Sequence, residues 1–176
     1  MTPEFICGLK SLKHLCPHFH LSLQSGSDTV LARMNRKYTL AEYEDRVNAL
    51  RSEFPDMSLT TDIITGFPGE TEEEFSETMD FAERLGFAKI HVFPYSVREG
   101  TKAAAMTQID MSVRKARAKR LIELSDRLAA GFASGMSGRE AEILIEKITE
   151  MNGRMIAEGY TANYVRTFAD VTCTDF

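Results

Sequence analysis

The chain has 176 residues, of which 43% are hydrophobic and 27% are charged, and its formal net charge is −5. This composition predicts a folded globular protein, and the acidic excess means that any nucleic-acid contact must come from a local basic patch. No apolar run approaches the roughly 18 residues that a membrane span requires, and residues 1–4 do not open a signal peptide, so we expect a soluble cytoplasmic protein.

The first predicted strand covers residues 17–24, where apolar and polar residues alternate. Period-two alternation places the apolar members against a core and the polar members toward water or a polar cavity. The apolar set is Phe19, Leu21 and Leu23, and the polar set is His18, His20, Ser22 and Gln24. A short helix is expected beyond Gly26. A longer helix begins after Thr39, which forms a capping box with Glu42, and ends before Pro55.

Two more predicted strands alternate with helices. Residues 58–65 form the second strand, Thr71 and Glu74 cap the following helix, Gly86 ends that helix, and residues 89–95 form the third strand. This order requires right-handed crossovers and therefore parallel strands. Three strands do not close a barrel, so the sheet is expected to have open edges.

The last third of the chain changes in character. Helical spacing of apolar residues predicts one long amphipathic helix over residues 112–134. A strand-like run at residues 140–146 and the hairpin signal Asn152-Gly153 follow. They predict a small antiparallel domain of two or three strands that begins near residue 137, too few strands for independent stability.

Ligands in α/β folds are held by the loops at the carboxyl ends of parallel strands. Here those loops are residues 24–28, 62–71 and 93–96. Gly66 and Gly69 permit a tight turn whose amides can approach a ligand, although an ordinary strand-to-helix turn explains the same pattern. Asp62 lies within an apolar strand and therefore needs either a wet cavity or a salt-bridge partner.

Three other features have ordinary explanations. His18 and His20 share a strand face, but no third ligand of suitable type lies nearby, so hydrogen-bonded cavity residues are favoured over a metal site. The basic cluster of Arg33, Arg36 and Lys37 is interpreted first as a solvated face. The cysteines lack paired or zinc-like spacing and are expected to be reduced thiols. They are Cys7, Cys16 and Cys173.

Four segments together resemble the radical S-adenosylmethionine methylthiotransferases. They are HFHLSLQSG (18–26), RMNRKYT (33–39), TTDIITGFPGET (60–71) and HVFPYSVREGT (91–101). Two later segments, GREAEILIE (138–146) and EGYTANY (158–164), resemble the start of that family's RNA-binding TRAM domain. The resemblance implies an α/β fold with three parts. They are the C-terminal half of a (β/α) radical-SAM partial barrel (1–110), a long connecting helix (111–136) and an incomplete TRAM-like β domain (137–176).

The resemblance also implies a chemistry. The family binds a 4Fe-4S cluster through a CxxxCxxC loop, cleaves S-adenosylmethionine reductively, abstracts hydrogen from adenine C2, and inserts sulfur with methylation. The residues expected to contact S-adenosylmethionine are Gln24, Ser25, Arg36, Asp62, Gly66, Phe93 and Tyr95. Arg36 is suited to the methionyl carboxylate. This sequence contains no CxxxCxxC, so the chain is expected to be a C-terminal fragment that lacks the cluster ligands and is inactive alone.

The partners implied are the anticodon region of tRNA and the missing N-terminal part of the same enzyme. In the β domain, Tyr160 and Tyr164 are expected to stack on bases while Arg154 and Arg166 meet phosphate. The branch that modifies N6-threonylcarbamoyladenosine in tRNA is favoured by the strand around Ser22 and by the later tyrosine-rich segment. The isopentenyladenosine branch and a non-catalytic RNA-binding module are the alternatives.

Overall fold

The structure is a computed structural model that describes residues 2–171. Helices and strands alternate through the first part of the chain, and strands alone fill the last part. The helices are α1 (Pro3–Lys10), α2 (Asp28–Arg33), α3 (Leu40–Glu53), α4 (Glu72–Leu85) and α5 (Met111–Gly135), with a 3-10 turn at Lys102–Ala105. The strands are β1 (His18–His20), β2 (Ser58–Thr65), β3 (Lys89–Pro94), β4 (Ile143–Met151), β5 (Arg154–Thr161) and β6 (Arg166–Val171).

Strands β1, β2 and β3 form a parallel sheet in sequential order. The crossover helices begin where the sequence predicts, because Thr39 and Thr71 each accept a 3.2 Å hydrogen bond from the backbone of the glutamate three residues later. Helix α4 ends at Gly86, which adopts the left-handed conformation at φ +61°. The α/β class with a parallel sheet is thereby confirmed.

One face of this sheet is covered by helices. The main core contains Leu59, Ile63 and Ile90 of the sheet together with apolar side chains of α3, α4 and α5. Leu23 is fully buried in it, and Phe19 and Leu21 pack against it. The predicted direction of the apolar set in the first strand is therefore confirmed, and the opposite face carries the polar set.

The first strand is shorter than the predicted residues 17–24. Its ladder is interrupted because side chains take over the main-chain bonding: Thr61 Oγ1 accepts from Leu23 N at 2.8 Å and donates to Leu21 O at 2.7 Å. Tyr43 also donates to Leu21 O, at 2.6 Å. Pairing resumes only at Gln24, which forms an isolated parallel bridge with Ile63.

The second sheet is antiparallel, with the order β4-β5-β6. Its first turn is the predicted hairpin, since Asn152 and Gly153 both have positive φ, at +53° and +75°. A register shift lies between Ile145 and Lys147, which marks a bulge in β4. Helix α1 was not predicted from the sequence; Thr2 caps it by accepting from Phe5 N at 3.3 Å.

The structure bears on the absence of a membrane span and on the state of the cysteines. Among residues 2–171, no helix combines the length and apolar character needed to cross a bilayer. Cys7 and Cys16 are exposed free thiols. Cys173 lies outside the described residues.

Candidate functional site

A cavity of about 610 Å³ opens at the carboxyl ends of β1, β2 and β3. We call it the strand-end cavity. Five of the seven residues proposed for cofactor contact line it, namely Gln24, Arg36, Asp62, Phe93 and Tyr95. Phe67, Arg98 and Thr101 also line it, although the sequence reasoning did not select them. Arg98 and Thr101 belong to the quoted segment 91–101, which was the signal that could have identified them.

Asp62 supplies the carboxylate of this cavity, and neighbouring side chains of the same sheet face hold it in position. Its Oδ2 accepts from Ser22 Oγ at 3.0 Å and lies 3.2 Å from His20 Nε2. His20 Nδ1 in turn lies 3.0 Å from Thr60 Oγ1. About 30% of the Asp62 side chain is exposed, so the carboxylate is held by neutral and imidazole partners while retaining acceptor sites that face the cavity.

Gln24 occupies the start of the first strand-end loop in an uncommon backbone conformation, with φ at +71°. The strand pairing around it enforces this conformation, because Gln24 N donates to Asp62 O at 2.8 Å and Gln24 O accepts from Ile64 N at 2.9 Å. Non-glycine residues at positive φ concentrate at functional sites. The backbone hydrogen bonds therefore fix the position of Gln24, whose mostly buried side chain starts beside Asp62.

The apolar wall of the cavity is an aromatic pair supported by a buried cation. Phe67 and Tyr95 meet edge to face with ring centroids 5.3 Å apart. Behind them, the Arg114 guanidinium donates to Tyr95 O at 2.8 Å and lies 5.4 Å from the Tyr95 ring centroid. Phe93 is 52% exposed and completes the wall. The cavity thus combines a flat apolar surface with charged groups at its edge.

Two of the proposed contact residues are not brought to the cavity. Ser25 is fully buried, and its hydroxyl lies 3.4 Å from Thr78 Oγ1 of α4. Gly66 has φ at +70° and packs against Arg114 so closely that a Cβ would lie 2.5 Å from Arg114 Cγ. Its amide donates to Glu70 Oε2 at 2.7 Å. Both residues shape the loops, and neither presents a group to the cavity.

The basic cluster divides into two environments. The prediction of a solvated face is wrong for Arg33, because both of its Nη atoms donate to the carboxylate of Glu74. The distance from Nη1 to Oε1 is 2.8 Å. This contact, with help from Thr29 and Thr71, lowers the pKa of Glu74 to about 2. Arg36 lines the strand-end cavity, and its guanidinium forms no hydrogen bond with another described residue. Arg36 is therefore available to a ligand.

Helix α5 holds the loop after β2 through a second arginine. Arg117 Nη1 donates to Glu70 Oε2 at 2.8 Å and to Glu70 O at 3.0 Å. Burial nevertheless raises the pKa of the Glu70 carboxyl. Sequence reasoning missed Arg114 and Arg117 among many basic residues. Helical spacing could have identified them, because both lie on the buried stripe of α5 that also carries the core residues Leu121 and Leu124.

The sequence predicts that the polar set of the first strand and Asp62 line one polar cavity, but the structure divides these residues between two cavities. Gln24 and Asp62 face the strand-end cavity, whereas His18 faces a second cavity at the other end of the strands, between α5 and the β4-β5-β6 sheet. We call this second cavity the interlobe cleft. The separation arises because the chain reversal after β5 brings Tyr164 to within 5.0 Å of the His18 ring, centroid to centroid.

The residues proposed for RNA contact are brought together only in part. Tyr160 and Tyr164 stack with centroids 4.8 Å apart, and Arg166 pairs with Tyr160 across the sheet. Arg154 lies at the opposite end of β5, beside Asp170. Arg154 is six positions from Tyr160 along the strand, a span of about 20 Å. Arg154 therefore cannot act on the same nucleotide as the tyrosine pair.

The polar face of the parallel sheet carries several histidines that could in principle bind a metal ion. Within residues 2–171, no group of three or more His, Cys, Asp or Glu side chains is arranged to hold a metal ion. His20 and His91 are neighbours with ring centroids 5.8 Å apart, and His20 contacts Asp62 by hydrogen bonding.

Comparison with known proteins gives a consistent result. A sequence profile for the radical SAM superfamily matches residues 1–82. The threonylcarbamoyladenosine tRNA methylthiotransferase MtaB of Bacillus subtilis (strain 168) is 46% identical over 170 residues, which is 94% of this chain and 37% of that protein. The tRNA-2-methylthio-N(6)-dimethylallyladenosine synthase of Thermoanaerobacter sp. (strain X514) is 41% identical over 169 residues, 96% of this chain and 36% of that protein. The chain thus spans little more than a third of the length of these relatives.

Proposed function

The chain belongs to the radical S-adenosylmethionine methylthiotransferase family, and on that premise we propose that its strand-end cavity binds S-adenosylmethionine in a tRNA-modifying enzyme. The reaction is the addition of a methylthio group to C2 of N6-threonylcarbamoyladenosine beside the tRNA anticodon, in the cytoplasm. The parallel sheet is proposed as the C-terminal half of the partial barrel, and residues 137–176 as a TRAM-like RNA-binding domain. The observation that carries the proposal is the convergence of Arg36, Asp62 and an aromatic wall on one cavity.

The donor chemistry of the cavity fits S-adenosylmethionine, which presents a carboxylate, an ammonium group, ribose hydroxyls and an adenine ring. The Arg36 guanidinium, which forms no hydrogen bond within residues 2–171, suits the carboxylate in a paired hydrogen bond. Asp62 retains acceptor sites for the ammonium or the ribose hydroxyls. Phe93 and Tyr95 offer a flat surface for adenine.

When bound, S-adenosylmethionine supplies the radical and methyl-transfer chemistry of the reaction. The residues of this chain bind and orient it: Ser22 and His20 fix Asp62, and Arg114 fixes the backbone of Tyr95. The described thiols do not fit a 4Fe-4S cluster at this cavity, since Cys7 lies on α1 and Cys16 lies before β1.

A second substrate, the isopentenyl-type adenosine, has support of its own. The Thermoanaerobacter protein named for a dimethylallyladenosine product is 41% identical to this chain, and the Bacillus protein is 46% identical. The closer similarity to the Bacillus protein favours threonylcarbamoyladenosine. Complementation of strains that lack each activity, followed by nucleoside mass spectrometry, decides between the two substrates.

Calorimetric titration of S-adenosylmethionine into the complete enzyme tests the cavity. We expect Arg36→Ala to weaken binding by about 1.5–3 kcal/mol, the range for a lost charged hydrogen bond. Lys37→Ala is the matched control, because Lys37 is adjacent and exposed, and its ammonium donates to the Asn35 side chain at 2.6 Å. Equal affinities of the two variants would contradict the assignment. RNA binding without any S-adenosylmethionine binding would favour the non-catalytic module.

A further inference from the structure

The interlobe cleft is a second cavity, of about 640 Å³, within the size range of ligand sites. One wall is the polar sheet face, one is the end of α5, and one is the turn between β5 and β6. No carboxylate lines it among residues 2–171, although the chain as a whole is acidic. Its lining includes His18, Lys89, His91, Phe132, Tyr164 and Arg166. The cleft is therefore aromatic and basic, which favours a flat anionic ligand.

Tyr164 is presented to the cleft in a strained but anchored conformation. Its φ is +66°, uncommon for a bulky residue, and 63% of the residue is exposed. The neighbouring Asn163 is buried and donates from Nδ2 to Asp56 O at 2.8 Å, which ties the turn to the loop before β2. The Tyr164 ring contacts the rings of Tyr160 and His18, with centroids 4.8 and 5.0 Å away. The exposed remainder of the ring can receive a further aromatic ring.

The cationic side chains of the cleft can exchange their carboxylate partners for a ligand. Lys89 lies 3.1 Å from Asp126, and Arg166 Nε donates to Glu158 at 2.8 Å, but Lys89, Asp126 and Arg166 are about half exposed or more. Exposed ion pairs contribute little to stability, so a phosphate can replace these partners at low cost. His91 is exposed and forms no hydrogen bond with another described residue.

The cleft and the strand-end cavity are neighbours along β2. Thr60 lines the cleft, and Asp62, the next residue on the same strand face, lines the strand-end cavity. Residues two apart on one face of a strand are separated by about 6–7 Å. A single ligand chain can therefore pass from one cavity to the other, which favours a nucleotide within RNA over a free mononucleotide.

We propose that the interlobe cleft binds one unpaired nucleotide of the RNA substrate, next to the nucleotide that reaches the strand-end cavity. Its base stacks on Tyr164 against the Phe132 side of the cleft, and its phosphate binds Lys89 and Arg166. This subsite rests on the proposed RNA substrate. It differs from contact with the far end of the β4-β5-β6 sheet, where Arg154 lies on the same face of β5 as Tyr160 but about 20 Å away.

The test uses a single-stranded RNA octamer that carries one 4-thiouridine. Binding is measured by fluorescence anisotropy, and photo-crosslinks are mapped by mass spectrometry. We expect Tyr164→Leu and Phe132→Leu each to weaken binding about 5-fold to 100-fold, the range for loss of one base-aromatic contact. Phe5→Leu, which removes a comparably exposed aromatic ring from α1, is expected to leave the affinity within 2-fold. Crosslinks should map to peptides containing Tyr164, His91 or Phe132.

Several outcomes would overturn the subsite. If Tyr164→Leu leaves the affinity unchanged and the crosslinks map only to peptides around Arg154, the RNA binds the far end of the sheet and not the cleft. If 5′-AMP competes with the octamer at equal affinity, the ligand is a free nucleotide. If no cleft variant changes binding, the cleft is only a packing interface. Calorimetry with S-adenosylmethionine on the same variants separates these failures from failure of the proposed function, because Tyr164→Leu should leave that affinity unchanged.

Discussion

Arg117 donates a 2.8 Å hydrogen bond to Glu70, and the two side chains are only 7% and 1% exposed. The pair joins α5 to the loop that follows β2. Since Glu70 also accepts from Gly66 N at 2.7 Å, one buried carboxylate fixes both the helix and the tight turn at the edge of the strand-end cavity. Loss of one partner leaves a charge buried without compensation.

We therefore expect Arg117→Met to lower the free energy of unfolding by about 3–5 kcal/mol. Arg120→Met is the control on the same helix, because Arg120 pairs with Glu72 at the surface and should cost less than about 1 kcal/mol. Urea denaturation of both variants measures the difference. The double variant Arg117→Met with Glu70→Gln should be less destabilised than the sum of its parts; strict additivity would contradict direct coupling.

The Glu74 carboxylate should make the free energy of unfolding depend on pH. Its pKa is lowered to about 2, first by Arg33 and then by Thr29 and Thr71. A carboxyl group with a lowered pKa stabilises the fold above its ordinary value of 4.5 and loses that contribution as the pH falls toward 2. We expect Glu74→Gln to cost about 2–3 kcal/mol at pH 7. The difference from the unmodified protein should shrink in urea titrations between pH 4.5 and 2.5, and a constant difference would refute the role of ionisation.

The glycine at the turn after β2 should not tolerate a side chain. A Cβ on Gly66 would lie 2.5 Å from Arg114 Cγ, and its φ is +70°. Gly66→Ala should therefore cost about 2–4 kcal/mol from overlap and strain together. Gly100→Ala isolates the strain, because Gly100 has φ at +79° with open space around it, and should cost about 1 kcal/mol. Thermal unfolding of both variants provides the comparison, and similar costs would show that Arg114 can move aside.

The His18 imidazole should titrate below its ordinary pKa of 6.5. Burial is the largest cause, and His20 and His91 add repulsion. Because the folded-state pKa is lowered, stability should decrease as the pH falls from above 6.5 through the folded value. Ring-proton NMR titration measures the pKa directly. His91→Ala should raise the pKa of His18 part of the way toward 6.5, whereas His14→Ala should not change it, and an unchanged value in the first variant would exclude repulsion from His91.

Several features of the site could be predicted because they depend on neighbouring residues. The alternation in residues 17–24 predicted which side chains face the helices, and the capping pairs predicted where α3 and α4 begin. The strand-end loops predicted Gln24, Asp62, Phe93 and Tyr95 as cavity residues. In contrast, Ser25 follows Gln24 directly yet is buried against Thr78, since the positive φ at Gln24 changes the direction of the chain.

By itself, the sequence determined the order of the elements from β1 to α5, the parallel sheet, the hairpin at Asn152-Gly153 and the family resemblance. These follow from hydrophobic periodicity, capping and turn preferences, which act over a few residues. Tertiary structure decided that Arg33 pairs with Glu74 and Arg117 with Glu70, whereas Arg36 has no ion-pair partner in the described part of the chain. It also brought Tyr164 onto His18 and so divided the polar face between two cavities. Such contacts join residues far apart in the chain, and only the packing of helices and sheets selects which of many similar charged and aromatic groups meet.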